Sequence, residues 1–167
     1  EYAVQQAQEA ATAMRTAKAY PDYVDCNAIS PTTTKKVASA FDDMPVNFID
    51  GGLIGLNPLK ESEGTRLYIS GKATALARQL DGRGLVVRDL GDEIGRASAM
   101  KMVYASSTKG AFSLFAAVAV MAELTGLRDE IFAELEASQP NTMATIERMA
   151  PRIPLDAKRW IFEMDEI

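Results

Sequence analysis

The sequence contains no histidine and a single cysteine, Cys26. These absences exclude disulfides within the chain, zinc sites of the Cys/His type, Ser-His-Asp triads and Cys-His pairs. Acid/base chemistry by the side chains of this chain therefore depends on Lys, Tyr, Asp or Glu. A lone cysteine is typical of a reducing compartment, so we expect a cytoplasmic protein.

Long apolar runs and concentrated positive charge are also lacking. The longest apolar run, residues 111–121, is too short to span a bilayer, and we expect a soluble protein with no membrane partner. The 18 basic residues are scattered and the net charge is −5, a pattern that does not favour nucleic acid as a partner. A chain of 167 residues is long enough for one compact domain, or for one domain and part of another.

The first half of the chain alternates between predicted strands and predicted helices. Ser30 and Pro31 are typical of a helix N-cap and first helical position. Residues 53–65 are rich in glycine, asparagine and proline and predict a loop. The predicted strands are 23–26, 46–50, 66–71 and 84–88, and the predicted helices are 4–18, 31–41 and 72–80. This alternation predicts an α/β fold.

The second half is predicted to be entirely helical. Residues 96–124 contain no proline and are dense in alanine and methionine, which predicts one helix of roughly 28 residues, about 42 Å long. Gly126 is a plausible C-cap for that helix. Further helices are predicted over 127–137, 142–149 and 155–165. The predicted fold is thus an α/β first half joined by a long helix to an all-α second half.

Lys101 is the residue of the long helix that most strongly suggests chemistry. It stands among alanine and methionine, where a charged amine is costly unless it is paired, exposed or used. Its helix face also carries Ser98, Tyr104, Ala105 and Thr108. Desolvation lowers the pKa of a lysine, so Lys101 is a candidate acid/base. The alternative is a lysine that extends to solvent or pairs with Asp89 or Asp92.

Two polar segments follow predicted strands. Asp50 precedes Gly51, Gly52 and Gly55, and backbone N–H groups of such a glycine loop can approach an anion, although a tight turn explains the glycines equally well. The second segment, residues 25–31, lies at a strand-to-helix crossing, where strand ends line ligand crevices in open sheets, or where polar residues serve only as turn and cap. No Gly-x-Gly-x-x-Gly dinucleotide fingerprint is present in these 167 residues.

Four segments in order resemble the β-hydroxyacid dehydrogenase and 6-phosphogluconate dehydrogenase superfamily, in particular its branch of 6-phosphogluconate dehydrogenase-like, NAD-binding proteins. The segments are Tyr23–Pro31, Phe48–Gly55, Leu67–Gly71 and Gly91-x-x-x-Gly95-x-x-x-x-x-Lys101-Met102-Val103. The resemblance implies an oxidoreductase that transfers a hydride between NAD or NADP and the hydroxyl carbon of a small hydroxy acid. Residues 1–92 are then the C-terminal part of a Rossmann-like dinucleotide-binding domain. Residues 93–167 are the long interdomain helix and the start of a helical substrate and dimerisation domain, through which we expect a homodimer.

The same resemblance implies roles for individual residues. Lys101 corresponds to the general acid/base of the family. The substrate carboxylate is expected at Asp50, Gly51, Gly52 and Gly55, and the nicotinamide at Asn27, Ser30 and Pro31. The family's asparagine four residues after the lysine is replaced here by Ala105, and a common serine is replaced by Ile54, so the resemblance does not identify the substrate. Tyr104 is expected to replace the lost polar contact.

Members of that superfamily begin with a strand and a glycine-rich turn that binds the dinucleotide diphosphate, and they continue with more helices. We therefore expect the 167 residues to be part of a longer protein and to bind NAD(P) weakly or not at all by themselves. The alternative hypothesis is a helical oligomerisation or binding module without catalysis, which the long alanine-rich helix favours. A helix-rich structural protein with chance motif matches is a third interpretation.

Overall fold

The computed structural model describes residues 2–55 and 64–167, which form two compact units. The first unit comprises Glu1–Val103 with Glu166–Ile167, and the second comprises Tyr104–Asp165. The division falls inside the long helix that the sequence predicts. The boundary expected at residues 92 and 93 separates two functional domains of a larger protein and stays a prediction.

The first unit is built around a four-stranded sheet. Its elements are α1 (Tyr2–Ala17), β1 (Tyr23–Asp25), α2 (Pro31–Ala38) with a 3₁₀ turn at Ser39–Phe41, β2 (Phe48–Ile54), β3 (Arg66–Ser70), α3 (Ala75–Arg78), β4 (Val86–Asp89) and the start of α4 (Arg96–Thr125). The strand order is β1-β2-β3-β4. The outer pairs are parallel and the central pair, β2 with β3, is antiparallel. The predicted α/β first half is confirmed, although the helix predicted over 72–80 is only four residues long.

Strand β2 is longer than the sequence predicts. We expected it to end at Asp50, with Gly51 and Gly52 in a loop, and this was wrong. The strand continues to Ile54, with Gly51 opposite Ile69 and Gly52 opposite Tyr68 on β3. Pairing with β3 therefore overrides the local turn preference of two adjacent glycines. Residues 56–63 of the predicted loop lie outside the described residues.

The core of the first unit lies on both faces of the sheet. On one face, small residues of α1 allow close packing against α2 and the aromatic side chains of Phe41 and Phe48. On the other face, Ile49, Leu67, Ile69 and Ala77 form a second cluster. Neighbouring strand residues point to opposite faces, so Phe48 and Ile49 enter different clusters. The same alternation puts Asp50 and Gly52 on one face of β2.

The second unit consists of the remainder of α4 and three further helices. These are α5 (Arg128–Ser138), α6 (Pro140–Met149) and α7 (Ile153–Glu166), so the prediction of an all-α second half is confirmed. Gly126 ends α4 with a φ of +71°, a conformation that favours glycine, and the Leu127 N–H donates to the Ala122 carbonyl at 3.0 Å. Pro140 occupies the start of α6, where its missing N–H has no cost.

Helix α4 is long and apolar enough to cross a membrane by length and composition. The sequence prediction that no segment spans a membrane was based on the short apolar run at residues 111–121. The helix that contains this run is longer, with 30 residues. A core helix of a soluble protein meets the same criterion, so this single helix is weak evidence for a membrane segment.

A largely buried ion pair joins α4 to α7 in the second unit. The Lys109 Nζ lies 2.8 Å from Glu163 Oε1, and the two side chains are 11% and 14% exposed. The ammonium also lies 5.8 Å from the centre of the Trp160 ring, which packs against Phe112. Because these apolar rings limit the access of water to the pair, loss of one charge leaves the other poorly solvated.

We expect Lys109→Met to lower the free energy of unfolding by about 3 kcal/mol, because it removes the Lys109 ammonium from a largely buried carboxylate. The double variant Lys109→Met/Glu163→Leu should recover most of that loss. Glu123→Gln, which breaks the exposed pair with Arg128, is the control and should cost less than about 1 kcal/mol. Urea denaturation of the four proteins measures the effects, and equal losses in Lys109→Met and Glu123→Gln would contradict the expectation.

Candidate active site

The first turn of α4 is fixed by the carboxylate of Asp50, which comes from strand β2. Asp50 Oδ2 accepts hydrogen bonds from the N–H groups of Gly95, Ala97 and Ser98 at 2.9, 3.0 and 3.1 Å. The first N–H groups of a helix have no partner within the helix and carry its positive dipole end. Asp50 is 0% exposed, so a buried anion from the sheet caps the helix.

Hydroxyl groups complete the surroundings of this carboxylate. Ser70 Oγ donates to Oδ2 at 2.9 Å and Ser98 Oγ donates to Oδ1 at 2.6 Å. Ser98 Oγ also lies 2.7 Å from Thr34 Oγ1 on α2. All these side chains are buried. With five donor groups on its two oxygens, Asp50 acts as the cap of α4. The contact of Asp50 with substrate that the family resemblance implies stays a prediction.

The sequence carries a signal for this cap that the motif interpretation missed. Helix α4 has no acidic residue in its first turn, and a glycine precedes it. A helix start buried in a domain requires some acceptor, so an acidic side chain from another element is expected. Asp50 ends a buried apolar segment, which makes it a suitable candidate.

Gly52 brings α4 into direct contact with β2 next to Lys101. A Cβ atom at position 52 would lie 2.6 Å from the Ala97 carbonyl oxygen and 3.2 Å from Lys101 Cβ. Gly52 and Asp50 share a face of β2, so the cap and the close approach both act on the same helix. Lys101 is half-buried. Its aliphatic stem therefore lies directly against β2, one of the two central strands of the sheet.

Gly51 has a similar role towards β1. A Cβ atom at position 51 would lie 2.7 Å from Cys26 Sγ and 2.9 Å from the Asp25 carbonyl oxygen. The missing side chain thus allows the end of β1 to approach β2. Gly55 has a φ of +132°, which favours glycine for conformational reasons. Contact between these glycines and a substrate carboxylate stays a prediction.

The segment predicted to lie near a nicotinamide forms a turn and a helix cap. Asn27 donates to Asp25 Oδ1 through both its backbone N–H and its side-chain amide. Ser30 Oγ accepts a hydrogen bond from the Thr33 N–H at 3.2 Å, so the predicted N-cap is confirmed. The Cβ of Pro31 approaches Gly95, immediately before α4. The cofactor contacts of Asn27, Ser30 and Pro31 stay a prediction.

A chain of contacts therefore connects three of the predicted segments within the first unit: the end of β1 meets Gly51, Gly52 meets Lys101, and Pro31 meets the turn before α4. Tyr104 begins the second unit and is 43% exposed, and its predicted contact with substrate stays a prediction.

Asp89, which the sequence offers as a partner of Lys101, binds other groups. Its carboxylate accepts hydrogen bonds from Thr74 Oγ1 at 2.6 Å, the Gly91 N–H at 2.7 Å and Arg78 Nη2 at 2.6 Å. The Thr74 hydroxyl, followed by the Gly91 N–H and the guanidinium, holds the pKa of Asp89 below its usual value. Asp89 is therefore a second hydrogen-bonded carboxylate of the first unit, and its partners differ from those of Asp50.

Burial changes the titration of Asp25 at the end of β1. Desolvation raises the pKa of this carboxyl, the charge of Asp50 acts in the same direction, and the two hydrogen bonds from Asn27 oppose both. Asp25 and Asp50 are opposite each other in the parallel register of β1 and β2. The site thus contains one carboxylate surrounded by hydrogen-bond donors and a neighbouring carboxyl whose pKa is raised by burial.

This arrangement, a sheet unit followed by helices with a long helix leading from one to the other, matches a Rossmann-like fold followed by an all-α region. The conserved protein MTH1747 of unknown function, whose structure is similar to 3-hydroxyacid dehydrogenases, matches 98% of the chain at 29% identity with a TM-score of 0.71. The reductive aminase from Aspergillus terreus, in complex with NADPH and ethyl levulinate, has the same fold at 18% identity over 87% of the chain, with a TM-score of 0.54.

Sequence comparison agrees with the structural one. Residues 122–167 match the family described as a domain of unknown function, DUF1932. The uncharacterized 28.5 kDa protein in the 7S RNA 5' region of Methanothermus fervidus is 30% identical over 117 residues, or 70% of the chain. Together the matches support a similarity to the 6-phosphogluconate dehydrogenase-like superfamily of NAD-binding proteins. The chain spans 44% of the Methanothermus protein and 61% of MTH1747.

Asp25→Asn should gain stability relative to wild type as the pH rises above 3.8, the usual pKa of this carboxyl. The folded-state pKa of Asp25 lies above its usual value of 3.8. At any pH between the usual and the folded-state pKa, the native state holds a proton that the unfolded chain has lost. Wild-type stability therefore decreases across that window, and the asparagine variant avoids this loss. Urea denaturation of both proteins at several pH values measures the difference.

Asp43→Asn is the control for Asp25→Asn. The hydrogen bond from Arg15 holds the pKa of Asp43 below its usual value of 3.8. The pH dependence of this variant therefore lies below pH 3.8 and has the opposite sign, because wild type loses stability there as the pH falls and the asparagine variant does not. A stability difference between wild type and Asp25→Asn that does not change with pH would refute the expectation.

Gly52→Ala should lower the free energy of unfolding by about 2 kcal/mol, because the new methyl group would overlap the Ala97 carbonyl and force α4 away from β2. Gly110→Ala is the matched control. Position 110 lies inside α4 with open space around it, so alanine should stabilise the helix by about 1 kcal/mol. Thermal and urea denaturation measure both effects, and equal behaviour of the two variants would contradict the close approach at Gly52.

Proposed function

We propose that the whole protein is an NAD(P)-dependent oxidoreductase in which Lys101 is the general acid/base. The observation that carries this proposal is the position of Lys101, half-buried against Gly52 on a helix whose first turn is fixed by a buried carboxylate. The fold supports it, because a solved structure with the same fold, the Aspergillus terreus reductive aminase, is in complex with NADPH. The proposed cofactor is NAD or NADP, and the proposed location is the cytoplasm.

The proposed substrate is a small hydroxy acid. The bound nicotinamide would supply the hydride acceptor or donor at the substrate carbon. Lys101 would accept the hydroxyl proton during oxidation and return it to the carbonyl oxygen during reduction. The ammonium that results would also stabilise negative charge developing on that oxygen.

The edge of β2 is a suitable place for the substrate carboxylate. Strand β1 ends at Asp25, opposite Asp50, so its described pairing with β2 does not extend to Gly51 or Gly52. Glycines in this part of β2 would let a ligand approach the main chain closely. Gly51, Gly52 and Gly55 are the proposed contacts, with Tyr104 as a further one. Asn27, Ser30 and Pro31 are proposed to line the cofactor side.

A second candidate function is a helical oligomerisation module without catalysis. The observation that favours it is the exposed apolar surface of α4 in the second unit, where Leu114, Val120 and Leu124 are 60%, 57% and 82% exposed. Burial of such side chains against a second copy would be favourable. Homodimer formation through this unit is compatible with either function, and only the catalytic proposal requires Lys101.

In the full-length protein, we expect Lys101→Met to reduce kcat by about a thousandfold while the Kd for NADPH changes less than about threefold. Oxidation of 3-hydroxy acids of three to six carbons with NAD or NADP measures turnover, and quenching of protein fluorescence measures cofactor binding. Lys72→Met, which replaces an exposed lysine of the same unit, is the control and should leave both values unchanged.

Substantial turnover by Lys101→Met would refute the role of the lysine. A wild-type protein that forms a dimer, binds neither NADH nor NADPH and oxidises no member of the substrate series would support the oligomerisation module instead. Sedimentation analysis of the same preparations gives the oligomeric state.

A further inference from the structure

Strand β2 controls the position of α4 at two points of one short segment. Asp50 binds the N–H groups at the start of the helix, and Gly52 accepts the helix backbone and the Lys101 stem against the strand. The two strand residues are about 7 Å apart along β2. Lys101 follows Ser98 by three positions, or about 4.5 Å along the helix. The cap and the lysine are therefore held by the same part of the sheet.

We propose that Asp50 is the positioning residue for Lys101: its carboxylate fixes the first turn of α4 and thereby the place of the lysine against Gly52. This inference rests on the proposed function of Lys101 as acid/base. A helix turn is stiff, so a shift or rotation at Gly95–Ser98 is transmitted to a residue less than one turn further on. Asp50 itself needs no contact with substrate for this role.

The charge of Asp50 is essential to the proposed role. Oδ2 alone accepts four hydrogen bonds, three of them from the positive end of the helix. Charge-assisted bonds of this kind are roughly twice as strong as neutral ones. In Asp50→Asn the side-chain amide oxygen can still occupy the Oδ2 position. The Ser98 hydroxyl can then donate its proton to Thr34 Oγ1 in place of Oδ1. The variant therefore retains the packing and loses most of the electrostatic attraction to the helix start.

The network also connects Lys101 to the proposed cofactor side. Ser98 Oγ joins Asp50 Oδ1 to Thr34 Oγ1, and Thr34 lies on α2, the helix that Ser30 and Pro31 begin. Asp50 thus fixes α4 relative to α2 as well as relative to the sheet. A position set by two neighbouring elements is more restricted than one set by a single helix contact.

The test compares Asp50→Asn, Asp50→Ala and the control Asp89→Asn in the full-length protein. Asp89 is a carboxylate of the same unit that also accepts bonds from a backbone N–H and a hydroxyl, but it lies outside the α4 cap. Both asparagine variants should lower the melting temperature. If Asp50→Ala fails to fold, Asp50→Asn still provides the test.

The first measurement requires no activity. Trace acetylation with acetic anhydride, followed by mass spectrometry, gives the reactivity of Lys101 relative to Lys72 in each protein. We expect the ratio to rise at least threefold in Asp50→Asn, because the amine is no longer held in one place, and further in Asp50→Ala. It should stay within about 1.5-fold of wild type in Asp89→Asn.

The second measurement uses turnover with NADPH or NADH and the best substrate of the series described above. In Asp50→Asn, kcat should fall at least tenfold and its solvent deuterium isotope effect should rise, while the KM for cofactor changes less than twofold. Partial unfolding lowers the active fraction without altering an isotope effect, so Asp89→Asn should keep the wild-type value.

The outcomes separate the two proposals. Retained turnover in Lys101→Met overturns the proposed function and the inference with it. Loss of turnover in Lys101→Met, together with wild-type labelling of Lys101 and a wild-type isotope effect in Asp50→Asn, overturns the inference alone. Changed labelling and a raised isotope effect in Asp50→Asn, both absent from Asp89→Asn, support Asp50 as the positioning residue.

Discussion

The first unit depends on one buried charge, the carboxylate of Asp50. Removal of an ion from water costs several kcal/mol unless other groups replace its hydration. Here three helix N–H groups and two hydroxyls replace it, and the helix dipole adds to their effect. Because these donors belong to α4 and β3, with α2 reached through Ser98, the charge fixes the relation of several elements to β2 at once. No apolar side chain at position 50 could do this, since it would leave the first N–H groups of α4 without acceptors.

The glycines next to Asp50 follow from the same constraint. A helix capped from the middle of a sheet must lie close to that sheet, and the strand residue beneath it must then be small. Gly52 meets this requirement towards α4, and Gly51 meets a similar one towards the end of β1. Three consecutive residues of β2 therefore supply the anchoring charge, the approach of a neighbouring strand and the approach of the helix. The adjacent glycines, which suggest an anion-binding loop when the sequence is considered alone, are required for packing whether or not they also bind a ligand.

Local signals were sufficient to predict most of the fold, and long-range contacts account for the differences. Ser30 and Pro31 begin α2 and Gly126 ends α4, as residue preferences at helix ends indicate. The extension of β2 depends on pairing with β3, which no preference of Gly51 or Gly52 reveals. The α4 donors of Asp50 lie 45 to 48 residues further along the chain, so its role as a cap required the structure.

The two lysines of α4 also show that the sequence alone does not reveal long-range contacts. Lys101 was identified by its apolar sequence neighbours, and its close approach to Gly52 depends on the packing of the helix against β2. In the sequence Lys109 only interrupts an apolar run, and its largely buried ion pair with Glu163 is visible only in the structure. Its partner belongs to α7, and sequence spacing alone does not reveal which face of one helix meets another.

The proposed reaction places further demands on electrostatics near Lys101. A substrate carboxylate at the edge of β2 would approach two acidic residues, Asp25 and Asp50, and repulsion between like charges would oppose it. The hydrogen bonds from α4 offset the charge of Asp50, and burial raises the pKa of Asp25, which favours its neutral form. In the proposed reaction the ammonium form of Lys101, whose stem lies against Gly52, would add a positive charge there. The helix cap would therefore serve the proposed chemistry twice: it holds the lysine in place, and it reduces the negative field that an anionic substrate would otherwise meet.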